Sequence, residues 1–285
     1  GRAGHRQDPP HHPHHSGRRS VSIKRALPAL ALLLALGGCA APQFGGPLAS
    51  VERPVSEQPV ITDARRKAKV HVELGQAYFQ VGRFGVALDE AKAAATYDPG
   101  YAPAFQLMGL VHMFLEENAV AVANFEHALK LAPGDPEIQN SYGWFLCSTG
   151  KETAGLEQLS AAARNPYYQS STRAFANAGL CQLRLKNDAA AEVLFQRAID
   201  ADNGNLQALY HLAAIKYRHG AYDLAKRYLA ALHQGGDPTA ESLWLAIRVE
   251  RKLGDRGAEA AFVQQLRRRF AGSPEYQAFL QGQYQ

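Results

Sequence analysis

A chain of 285 residues that is 46% apolar and 20% charged is too apolar for wholesale disorder and long enough for one large or two ordinary domains. Its net charge of +5 resides in residues 1–38, where Arg2, Arg6, Arg18, Arg19, Lys24 and Arg25 face a single acid, Asp8; beyond them bases and acids are equal in number. The body of the chain therefore has no net excess of base with which to grip nucleic acid, and no nucleic-acid partner is expected.

The chain begins with an export address. Residues 1–20 include His11, His12, His14 and His15. A His-rich tract is able to bind metal, but this one lies ahead of an expected cleavage point, so no metal site is assigned. Lys24 and Arg25 form a positive n-region, and residues 26–36 form an apolar stretch of 11 residues. That length suits a signal peptide and falls short of the ~20 residues that span a bilayer. The stretch ends in Leu36, Gly37, Gly38, Cys39 and Ala40, which resembles the lipobox of bacterial lipoproteins. The resemblance implies a diacylglyceryl thioether on Cys39, small residues that admit the peptidase, and a leucine for its apolar pocket. Residues 1–38 are thus expected to be removed. The lipid on Cys39 is the one covalent group foreseen, and no cofactor is. At about 0.8 kcal/mol per buried methylene, two or three acyl chains hold a protein firmly on a membrane. Ala40 stands where an aspartate would resemble an inner-membrane retention signal, which points to the periplasmic face of the outer membrane.

Residues 39–63 then read as the lipidated cysteine and a flexible linker, rich in proline and glycine (Pro42, Gly45, Gly46, Pro47, Pro54, Pro59). After it the chain repeats itself. Leu74, Gly75, Ala87, Ala94 and Pro99 recur 34 residues later as Met108, Gly109, Ala121, Ala128 and Pro133, with Tyr78 added in the first unit and Phe125 in the second. Further units carry Tyr142, Gly143 and Leu159; Ala178, Gly179, Ala191 and Phe195; Leu212, Ala213 and Ala225; and, more loosely, Trp244, Ala260 and Pro274. The period and pattern resemble the tetratricopeptide repeat. This predicts an all-α fold over residues 64–285, a right-handed superhelix of about six helix-turn-helix repeats near 68–101, 102–135, 136–171, 172–205, 206–239 and 241–274. Small residues at the eighth and twentieth positions let paired helices approach, and proline near the thirty-second ends the second helix. No single repeat buries its apolar face, so the units must stack.

Catalytic signatures are missing from the sequence. It has no glycine-rich loop after a strand, no His-Glu-x-x-His and no Cys-x-x-Cys. Arg267, Arg268 and Arg269 read as a solvated cationic run near a helix C-terminus. No enzyme, metal site or small-molecule substrate is expected, and a repeat-bearing hydrolase lacks a candidate catalytic domain. Cys147 and Cys181 fall on the first helices of repeats three and four, which run side by side; in an oxidising periplasm they pair as a disulfide or remain two buried thiols.

On the repeat fold, the second, fifth, ninth, twelfth and thirteenth positions of each first helix tend to face the concave groove. Here they include Val72, Gln76 and Phe79, then Gln106, Leu110, Met113 and Phe114, then Asn140 and Trp144, with Tyr210 and Tyr217 further on. An apolar groove edged with amides suits a helix or strand laid in it, although some of these side chains pack between helices instead. Two stretches are more specific than the repeat. One runs from Asn140 through Tyr142, Gly143 and Trp144 to Cys147. The other runs from Asn165, Pro166, Tyr167 and Tyr168 to Asn177, Gly179 and Cys181. Both resemble the type IV pilus biogenesis lipoproteins, the pilotins of the PilF/PilW family. That resemblance implies a monomer on the outer membrane that binds the pilus secretin subunit, largely through its first repeats with Val72, Gln76, Phe79, Leu110 and Met113. It further implies a role in localising and multimerising the secretin, needed for pilus biogenesis and twitching motility. The rival is an adaptor lipoprotein of another envelope machine, for β-barrel assembly or cell-wall synthesis.

Overall fold

The computed structural model describes residues 51–284, and every regular element among them is helical. Six helical hairpins follow one another: α1 (Asp63–Gln80) with α2 (Phe84–Tyr97), α3 (Ala102–Phe114) with α4 (Asn118–Leu131), and α5 (Pro136–Ser148) with α6 (Glu152–Arg164). Then come α7 (Ser171–Arg184) with α8 (Asp188–Ala201), α9 (Leu206–Arg218) with α10 (Tyr222–Gly235), and α11 (Ala240–Leu253) with α12 (Arg256–Arg269). A short α13 (Pro274–Leu280) follows. Each first helix packs on its own second helix, each second helix through α10 packs on the next first helix, and α1, α3, α5 and α7 touch in succession. This neighbour-to-neighbour stacking is the tetratricopeptide-repeat superhelix. No helix among the described residues is long and apolar enough to cross a membrane.

Local chemistry fixes where the helices start. Asp135 caps α5, its Oδ1 accepting from the amides of Glu137 and Ile138 at 2.9 and 3.1 Å. Pro136 follows in the first turn, where a missing N–H is harmless. Asn187, Asn205 and Asp255 cap α8, α9 and α12 in the same way, and Thr239 with Ser242 forms a reciprocal capping box on α11. Thr62 caps α1, which begins at Asp63, five residues before the expected edge of the first repeat. Pro274 was expected near the end of the sixth repeat; it instead lies in the first turn of α13, capped by Ser273.

Close approach within the first four hairpins depends on the glycine at the eighth position. A Cβ on Gly109 would stand 2.9 Å from the Phe125 ring, and one on Gly179 would stand 2.7 Å from Phe195. Both rings are fully buried, so neither can give way. The turns between first and second helices carry a second mark of the repeat. Left-handed backbone occurs at Gly82, Glu116, Gly150, Lys186, Gly220 and Gly254, at intervals of 34, 34, 36, 34 and 34 residues. The one longer interval is the two-residue insertion visible in the sequence.

Chain that the sequence assigns to the flexible linker is packed from Glu52 onward. A 3-10 turn at Val55–Glu57 lies against α3 and the start of α5. The Val55 amide donates to Asp135 Oδ2 at 2.7 Å, the Ser56 hydroxyl donates to Glu137 at 2.9 Å, and Asn165 Nδ2 donates to the Glu52 carbonyl at 2.9 Å. Lys69 Nζ donates to the Ser56 carbonyl at 2.9 Å, and the Arg53 guanidinium lies 4.9 Å above the Tyr167 ring. Pro54 is buried, and Val55 packs against the clusters that hold Tyr101, Ala104 and Ile138. This strap ties repeats one to three together. Burial pushes the Asp135 carboxyl above its ordinary value, against the opposing pull of the amides of Val55, Ile138 and Glu137; burial raises Glu137 as well.

Candidate partner-binding groove

The first helices of repeats one to three present their residues by position. Val72, Gln106 and Asn140 share the fifth position and are only 3%, 7% and 4% exposed. They correct the sequence-based groove, because this position faces the neighbouring helix and not a partner. Val72 packs with Ala87, Ala91 and Leu107. Gln106 Nε2 donates to Ser141 Oγ at 2.9 Å and to the Glu137 carbonyl at 3.2 Å, and Asn140 Oδ1 accepts from Asn177 Nδ2 at 3.0 Å. These amides are bridges between successive first helices, with their polar groups satisfied inside the protein.

Ninth and twelfth positions behave differently. Gln76 is exposed, and Phe79, Leu110, Met113 and Trp144 are half-buried, so each keeps surface for a partner. Phe79, Phe84 and Phe114 form an aromatic cluster with centroids 5.0–5.6 Å apart, and Phe114 is 54% exposed. Leu110 and Met113 continue from it onto the core of Phe125, Tyr142 and Phe145. Val81 and Leu115, the C-caps of α1 and α3, add apolar surface at 70% and 44% exposure. Sequence reasoning missed Phe84, Val81 and Leu115. Their signal was available: apolar residues stand in two successive turns where polar ones are usual.

Cys147 and Cys181, both fully buried, have their sulfurs 2.00 Å apart and their Cα atoms 5.6 Å apart, joining α5 to α7. Gly155 on α6 makes room for the bridge, since a Cβ there would stand 2.4 Å from Cys147 Sγ. Cys39, the expected lipidation site, lies outside the described residues. No group of three or more His, Cys, Asp or Glu residues able to hold a metal occurs among the described residues.

Residues 102–135 match the tetratricopeptide repeat family. Over 225 residues the chain is 29% identical to the type IV pilus assembly protein PilF of Pseudomonas aeruginosa, covering 78% of this chain and 89% of that protein. The solved structure of Pseudomonas aeruginosa PilF superimposes with a TM-score of 0.70 at 27% identity, over 78% of this chain and 100% of that one. The chain is a tetratricopeptide-repeat protein similar over most of its length to a type IV pilus assembly protein. PilW, described as a widely conserved type IV pilus biogenesis factor, superimposes on this chain with a TM-score of 0.68 at 25% identity, over 75% and 98% of the two chains. The match therefore spans the pilus proteins nearly end to end, beyond the single repeat that the family pattern picks out. The exposed aromatic and aliphatic side chains of repeats one and two offer contact area, with no nucleophile or paired acid and base among them.

Proposed function

We propose that this protein binds the secretin subunit of the type IV pilus and promotes its localisation and multimerisation at the outer membrane. One observation carries the reading: Phe79, Phe84 and Phe114 make an aromatic ledge at the end of the first two repeats, half open to solvent and flanked by Val81 and Leu115. A secretin ring destined for a membrane has apolar surface to shield before it inserts. A ledge of this kind supplies the rigid aromatic anchors that dominate binding energy. Lipidation at Cys39 would place that ledge at the membrane. The 12 residues from Cys39 to Val51 reach at most ~40 Å at ~3.5 Å each, which keeps the local concentration of a tethered partner high.

The test is titration of the purified full chain with purified secretin subunit, comparing wild type with Phe114→Glu. Because Phe114 is more than half exposed, the substitution leaves the core intact while placing a charge on the ledge. Affinity is expected to fall at least tenfold, about 1.4 kcal/mol. Unchanged affinity would move the secretin site off the first repeats.

A further inference from the structure

Among the described residues, α12 is the least covered of the second helices. In α2, α4, α6, α8 and α10 three residues are buried, whereas α12 buries Leu266 alone. A further first helix would normally cover α12. The element in that place, α13, has seven residues and packs on α11, where Tyr276, Phe279 and Tyr284 join the cluster of Trp244, Ile247 and Leu266. Between α12 and the α13 segment lies an open groove of about 1250 Å³. One wall carries Arg256, Val263 and Arg267, and the other carries Phe279, Leu280 and Tyr284.

The charge of this groove is one-sided. Its single acid, Glu259, accepts from Arg251 at 3.0 Å, and the Arg251 guanidinium also lies 3.9 Å over the Tyr284 ring. Arg256 and Arg267 form no ion pair among the described residues, and both are exposed. They are 11 residues apart, three turns of one helix, so they share a face with Ala260 and Val263 between them. The two cations are therefore separated by ~16 Å along the wall, within side-chain reach of two positions four residues (~13 Å) apart on one face of an extended chain.

We propose that this groove is a second protein-binding site, specific for an extended segment with two carboxylates four residues apart, hence on one face of the segment, and apolar side chains between them. The carboxylates pair with Arg256 and Arg267, and the intervening side chains cover Val263, Phe279 and Leu280, the last of which is 58% exposed. A concave, aromatic-walled groove favours such a peptide over a flat anionic membrane, which would meet the cations but leave the groove empty. The site stands at the opposite end of the repeat series from the ledge at Phe79, Phe84 and Phe114 and does not depend on it.

The probe is a fluorescein-labelled eight-residue peptide with two glutamates four positions apart around Leu-Phe-Leu, titrated into the full chain and followed by anisotropy. Saturable binding is expected. It should weaken at least tenfold in the Arg256→Glu/Arg267→Glu double variant, and as much when both glutamates of the peptide are replaced by glutamine. Phe114→Glu should leave it unchanged, and rising salt should weaken it. Matching circular dichroism of the double variant would show that the fold is intact. The proposal is overturned by an absence of saturable binding to the wild type, or by equal affinity in the double variant. It is also overturned if the double variant loses only its binding to phosphatidylglycerol vesicles, which would make the cations a membrane contact.

Discussion

His211 sits on α9 with its ring 5.1 Å from that of Phe195 and 5.2 Å from that of Tyr210. Burial, with the Arg218 cation as a smaller influence, lowers its pKa from 6.5 to about 4. The unfolded chain thus takes up this proton at a higher pH than the folded protein does. Between those two values the unfolded state holds more protons, and stability falls as the pH drops from 6.5 toward 4. Allowing for partial exposure, the loss across that window is about 2–3 kcal/mol. Urea unfolding near pH 7.5 and near pH 5 should show most of it in the wild type and little in His211→Phe. Equal pH slopes in both proteins would clear His211 of the effect. Asp135 and Glu137 act with the opposite sign. Their folded values are raised, so the stability they contribute is complete at low pH and is lost as the pH rises through the folded values.

Glu116 and Lys186 make a cleaner single-residue test. They hold φ of 60° and 57° in turns where the other four hairpins use glycine. A side chain in left-handed backbone costs about 1–2 kcal/mol, and glycine returns part of that through its greater freedom in the unfolded chain. Glu116→Gly and Lys186→Gly should each stabilise by about 0.5 kcal/mol, read as a higher urea midpoint at unchanged slope. A lower midpoint would mean that these side chains make contacts worth more than the strain.

At the scale of elements, the bridge and the strap set what moves together. Cys147 and Cys181 close a loop of 34 residues between α5 and α7. Chain entropy assigns such a loop about 3–4 kcal/mol, so the double alanine variant should unfold at correspondingly lower denaturant. A loss under about 1 kcal/mol would show that repeats three and four hold together without the bond. The strap hangs on Asp135, which satisfies the Val55 amide together with two amides of α5. Asp135→Ala should cost about 2–3 kcal/mol and expose the Val55 amide to rapid hydrogen exchange. Slow exchange at Val55 in that variant would mean that the contacts of Glu52 and Ser56 hold the strap alone.

How much of this was legible in the sequence differs by element. The hairpins were, because Gly109 and Gly179 must be small against Phe125 and Phe195, and such constraints recur every 34 residues. The strap was not. Its prolines, Pro54 and Pro59, read as part of a tether, and its decisive contact joins a backbone amide to an acid 80 positions away, which leaves no local pattern. Groove residues were half legible. Val72 and Gln76, Gln106 and Leu110, and Asn140 and Trp144 are four apart, so each pair lies on one helical stripe. Only the angle of the neighbouring helix decides that the first of each pair is sealed while the second, exposed at Gln76 and half-buried at Leu110 and Trp144, keeps surface. Pro274 reads equally well as the end of one helix or the start of the next, so α13 and the groove beside it had no distinct signal.

Across residues 51–284, the repeats form a continuous series with two dissimilar ends. The first carries an exposed aromatic ledge, and the last carries an uncovered cationic groove. An adaptor that must hold a subunit while remaining on a membrane has use for such an asymmetry, since each end can engage without occluding the other. The central claim is that the ledge engages the secretin. It is tested most directly in the native host by replacing the gene with the Phe114→Glu form and measuring heat- and detergent-resistant secretin multimers in the outer-membrane fraction. The account predicts that multimers fall toward the level of the deletion strain while the variant protein is present at normal abundance. Multimers at the wild-type level in that strain, with the deletion strain lacking them, would contradict it.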